Sequence, residues 1–160
     1  FKKSFLARKI YDYIFRKNEI YIVEEPDSNK FIKFKKEYNN LVKKTLKKNK
    51  KVILMTLPTY FQGDISWVDY NQEIAGNLSN HASPKAIYKA LKSINQEIRL
   101  VALKNKNICL IDLAKYIKNE QNPKNLFIGE IVHQNVKGQD WLAKAFLKDY
   151  QNCFKNKNDI

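Results

Sequence analysis

A chain of 160 residues with 44% hydrophobic content is long enough for one domain, and such a domain buries roughly two thirds of the surface its unfolded chain exposes. No run of 18 or more apolar residues is present, so no segment is expected to span a membrane. The formal charge of +14 is almost entirely lysine; Arg8, Arg16 and Arg99 are scattered rather than clustered with aromatics, so a nucleic-acid partner is not expected.

The chain starts at Phe1 without a signal-peptide pattern and is expected to be a piece of a longer polypeptide. Phe5, Leu6, Ile10, Tyr13 and Ile14 recur at helical spacing, which predicts an amphipathic helix over residues 5–15, then a brief extended piece at 20–23. Glu24-Glu25-Pro26-Asp27 makes a turn, and Asp27, Ser28 and Asn29 are all suitable N-caps. The helix they start sets Phe31, Phe34, Tyr38, Leu41, Val42 and Leu46 on one face, with lysines at its C-terminal end, where they complement the dipole.

The apolar run from Val52 to Leu57, stopped by Pro58, predicts a strand buried on both faces as in a parallel sheet. A loop over residues 59–82 follows, and loops of that length usually carry function. Its Tyr60, Phe61 and Trp67 come just after the strand's C-terminal end, where open α/β sheets bind ligands, and they either line an acyl or sugar pocket or anchor the loop. His81 reads as a solvated loop residue. Ser83 caps and Pro84 opens a helix to about residue 104, with Ile87, Leu91, Ile94, Ile98 and Val101 inward. Residues 108–111 form a second buried strand, and Asp112 caps a short helix over 113–118. Cys109 and Cys153 have no CxxC spacing and are expected to build neither a metal site nor a disulfide framework. Helices alternating with strands indicate an α/β chain with a parallel sheet and crossover helices. Two strands leave helix faces uncovered, which reads as half of a doubly wound domain.

Near the end, Glu130 stands three residues before His133, and Asn135 begins an amphipathic helix carrying Trp141, Leu142, Ala145 and Phe146. That order puts His133 on a short loop at a helix N-terminus with a carboxylate one turn upstream. A general base needs such a setting, with its tautomer held by a carboxylate and its other nitrogen turned to a nucleophile. Asp112 also ends a strand, but capping the following helix accounts for it.

In order, the strand ending Met55-Thr56-Leu57-Pro58, the segment from Asn95 to Ala102 leading to Ile111-Asp112-Leu113-Ala114, the Glu130-to-His133 segment, and Gly138 with its helix resemble the C-terminal half of a GDSL-type esterase of the SGNH hydrolase superfamily. The resemblance spans residues 31–146. It implies a three-layer α/β/α, flavodoxin-like fold whose N-terminal strands are missing from this chain, and hydrolysis or transfer of a small-molecule or carbohydrate acyl ester. It implies His133 as the general base acting on a serine, and Glu130 as the carboxylate behind its ring, where the family has Asp. No metal or organic cofactor is implied. The family's Gly-Asp-Ser turn has no counterpart; Gly63-Asp64-Ile65-Ser66 lacks the adjacent serine and falls in the wrong order. The alternative is a non-catalytic member of the fold that binds a carbohydrate or protein partner.

Overall fold

The computed structural model describes residues 25–49, 51–61, 82–128 and 133–155. The helix expected over 5–15, the extended piece at 20–23, Ser66, Trp67, His81 and Glu130 lie outside the described residues. Helix α1 is Ser28–Lys48. Of the three candidate caps Asp27 is the one used, its carboxylate accepting from the amides of Asn29 at 2.9 Å and Lys30 at 3.3 Å. Phe31, Phe34 and Tyr38 stack successively at 5.8 and 5.7 Å, and Phe34 and Val42 are buried. Leu41, expected on that face, is 54% exposed. At 3.6 residues per turn it sits roughly 60° round from the Phe34–Tyr38–Val42 stripe.

Strand β1 (Val52–Met55) and strand β2 (Ile108–Ile111) pair in parallel, Val52 opposite Ile108 and Met55 opposite Ile111. Between them runs helix α2 (Pro84–Leu103), whose N-cap Ser83 accepts from the Ala86 amide at 3.1 Å and whose first residue is proline, as anticipated. Ile87, Ile94, Ile98 and Val101 are buried on its inner face. Phe34 of α1, Phe61, and Ala82, Ile87, Ala90, Ile94 and Ile98 of α2 and its approach make one core, against which Leu54 and Leu110 pack from the sheet. After β2 come helix α3 (Leu113–Tyr116), two 3-10 turns (Ile117–Asn119 and Pro123–Leu126), and helix α4 (Val136–Lys155). The chain is thus mixed α/β, mostly helical, with a two-stranded parallel sheet. Among the described residues no helix is long and apolar enough to cross a membrane.

Two expectations are corrected. The first strand is not covered on both faces. Because side chains alternate along a strand, Ile53 and Met55 share a face with their partners Cys109 and Ile111. Helix α4 lies on β2, and Ile111 is fully buried while Ile53 and Met55 remain 36% and 46% exposed. The second correction concerns the cysteines. Cys109 of β2 and Cys153 of α4 form a disulfide, with Cα atoms 5.7 Å apart, inside the range a disulfide spans without backbone distortion. A sequence separation of 44 carries no hint of this contact; it follows from the docking of α4 on the sheet.

Candidate active site

The carboxyl ends of β1 and β2 are knitted together by side chains. Thr56, immediately after β1, donates its hydroxyl to Asp112 Oδ1 at 2.9 Å and accepts the Ala114 amide at 2.8 Å. Arg99 of α2 meets Asp112 with both arms of its guanidinium, Nε to Oδ2 and NH2 to Oδ1, each at 2.8 Å. Asp112 also accepts from the Lys115 amide, so it is the helix cap the sequence indicated and an ion-pair partner as well. Burial pushes the Asp112 carboxyl up; hydrogen bonds from Arg99 and Thr56, the Arg99 charge and the Lys115 amide outweigh it and hold the group below the usual carboxylate range. With its carboxylate engaged on all sides, Asp112 serves architecture rather than proton transfer.

A second clamp lies one helical turn earlier on α2. The buried Asn95 amide accepts from the Leu57 N–H at 2.7 Å and donates to the Leu57 carbonyl at 2.9 Å, substituting for a strand neighbour at the end of β1. Leu91, Asn95 and Arg99 recur every four residues, a polar continuation of an apolar helical stripe. That spacing is the signal by which both clamps are readable in retrospect.

Beside these clamps, at the carboxyl ends of the strands, is a cavity of about 260 Å³. Tyr60, Phe61, Tyr88, Leu91, Ala114 and Ile117 supply its apolar surface, and Lys92, Lys118 and Glu120 bring charges to it. Tyr60 and Phe61 therefore sit at a cavity, as their place after β1 suggested, although Phe61 is also a buried core side chain.

The segments on either side of the histidine loop reach this region through Phe127 and Trp141. Helix α4 runs antiparallel to β2: Asp149 accepts the Asp112 amide at 3.3 Å just past the strand end, while Cys153 reaches back to Cys109 inside it. The N-terminus of α4, 13 residues or about 20 Å of helix before Asp149, therefore lies on the carboxyl-end side of the strands. His133 precedes that terminus and is exposed. Its carbonyl accepts the Ile128 amide at 3.0 Å, and Phe127 and Gln134 form an antiparallel bridge, so the backbone on both sides of the 129–132 segment is fixed. Asn135, read as the start of this helix, caps α4: Oδ1 accepts the Gly138 amide at 3.0 Å, and Nδ2 donates to the carbonyls of Asn125 and Phe127 at 2.8 and 3.3 Å. Gly138 has no alternative there, since a Cβ would lie 2.0 Å from the Leu126 carbonyl oxygen. Two contacts tie the loop to the cavity. The Tyr60 ring lies 5.0 Å from that of Phe127, and the Trp141 indole N–H donates to Glu120 at 2.6 Å. Among the described residues no three His, Cys, Asp or Glu side chains gather into a metal-holding group.

Comparison with protein families, curated proteins and solved structures returns no match for this chain.

Proposed function

We propose that this chain is the C-terminal portion of an SGNH-type serine acyl hydrolase, with a doubly wound three-layer α/β/α architecture completed by polypeptide upstream of Phe1. In this reading His133 takes the proton of a serine hydroxyl supplied by that upstream portion as the oxygen attacks an acyl ester carbonyl. Glu130 accepts the hydrogen bond of the other ring nitrogen and stabilises the imidazolium. The imidazolium then protonates the departing alkoxide, and the resulting acyl-enzyme is cleaved by water that His133 activates in turn.

The observation that carries this reading is the position of His133, just before the Asn135-capped N-terminus of α4 and on the carboxyl-end side of two parallel strands. The test uses the full-length protein and a short-chain aryl ester such as a nitrophenyl acetate. His133→Ala is expected to lower turnover by at least about a thousandfold, and a fluorophosphonate is expected to label a serine. Unchanged turnover in the variant refutes the assignment of the base.

The second reading, a non-catalytic binder of a carbohydrate or protein partner, draws on Glu130 standing where the family has Asp and on the lack of a Gly-Asp-Ser turn in this sequence. It predicts ligand binding with neither ester turnover nor fluorophosphonate labelling.

A further inference from the structure

We propose that the cavity at the strand ends binds a ring-sized apolar group bearing one anionic substituent, an aryl carboxylate being the simplest case. The proposal concerns binding and does not depend on the hydrolase reading. The volume of about 260 Å³ exceeds the roughly 150 Å³ cavity that accommodates benzene, and falls just short of drug-sized sites. One ring with a small substituent fits that space.

The interior selects for an apolar ring. Phe61, Ala114 and Ile117 are buried surfaces of the cavity, and Tyr88 meets Phe61 edge-on at 6.4 Å. Three of the polar side chains along it, Asn95, Arg99 and Thr59, are already committed. Asn95 holds the Leu57 backbone, Arg99 holds Asp112, and the Thr59 hydroxyl accepts the Phe61 amide at 3.1 Å. A sugar ring, with hydroxyls on every side, needs more polar partners than this mainly apolar lining supplies, a cost an aromatic ring does not incur.

The rim selects for negative charge. Lys92 comes from α2 and Lys118 from the 3-10 turn after α3, so the two ammonium groups approach from different elements. Both are exposed, and among the described residues neither has a carboxylate partner. Glu120, the acidic residue at the rim, is occupied by the Trp141 indole N–H. Two ammonium groups against one engaged carboxylate leave a positive rim, which attracts an anion and repels a cation.

The experiment is an amide NMR titration of the protein with benzoate, benzyl alcohol and inorganic phosphate. Benzoate is expected to saturate with shifts at Tyr88, Leu91, Ala114 and Ile117, and to bind about three- to tenfold tighter than benzyl alcohol. Phosphate is expected to leave those amides unmoved. Lys92→Ala combined with Lys118→Ala, at exposed positions, should bring benzoate down to the affinity of benzyl alcohol. Leu91→Trp should fill the cavity and abolish both. Equal binding of the two rings by the unmodified protein overturns the proposal, and so does a lack of saturable shifts at these four residues. His133→Ala is expected to retain benzoate binding, so loss of ester turnover and loss of this site are read separately.

Discussion

Removing the Cys109–Cys153 disulfide gives a prediction whose size follows from chain geometry alone. The bridge closes a loop with a sequence separation of 44, and it holds the C-terminal end of α4 against the middle of β2. In the chain-entropy treatment, closing such a loop lowers the entropy of the unfolded chain by about 13 cal/mol/K, or about 4 kcal/mol at 25 °C. Replacing both cysteines by serine should therefore lower unfolding stability by about that amount. With a urea slope of about 2 kcal/mol/M, the midpoint falls by about 2 M. Without the bridge α4 retains the Trp141–Glu120 bond, the Asp149 contacts to the Asp112 amide and the Tyr116 hydroxyl, and Lys148 over the Tyr116 ring. All of these lie before residue 150, so residues 151–155 should show earlier amide exchange than the rest of α4. The assay is urea unfolding followed by circular dichroism on oxidised protein, on protein reduced with dithiothreitol, and on the double variant. The reduced protein and the variant should coincide. A midpoint shift under about 0.5 M, with the bridge verified by mass in the oxidised sample, would refute the assignment of this stability to the crosslink.

Other consequences are smaller and separable. Gly138→Ala drives a methyl toward the Leu126 carbonyl oxygen and should cost about 1–3 kcal/mol in thermal or urea unfolding. Asn95→Ala strands the Leu57 N–H and carbonyl together; a loss of about 2–3 kcal/mol in the same assay is expected, and a loss under about 1 would show that water replaces the clamp. Because the native Asp112 carboxyl is held below its unfolded value, its contribution is complete above about pH 5. It disappears as pH falls through the native value. Arg99→Met should flatten that acid limb and lower stability at pH 7 by about 2 kcal/mol, measured as unfolding midpoints against pH. At the alkaline end, burial and the nearby Glu97 push the Tyr38 phenol up to about 12. Tyr38 therefore contributes stability at neutral pH that is lost as pH rises above about 10. Tyr38→Phe should reduce the alkaline loss in the same pH series.

The parts of this protein legible in its sequence are those decided within a few residues. Asp27, Ser83, Asp112 and Asn135 cap the helices that follow them because a short polar side chain can reach amides two or three positions ahead. The inward stripe of α2 and the two apolar runs of the parallel sheet are local periodicities of the same kind. What required the tertiary structure was juxtaposition. Both β1 and β2 are unbroken apolar runs, yet Ile111 is buried and Met55 is not, because α4 lies over β2. Cys109 meets Cys153, and Asp112 meets Arg99 and Thr56, across separations that no spacing rule links. The cavity and the rim lysines arise where α2, the end of β1 and the turn after α3 converge. Caps and periodicity act through neighbouring backbone atoms and are written into the chain; charge pairing, crosslinking and cavity shape depend on which surfaces packing brings together.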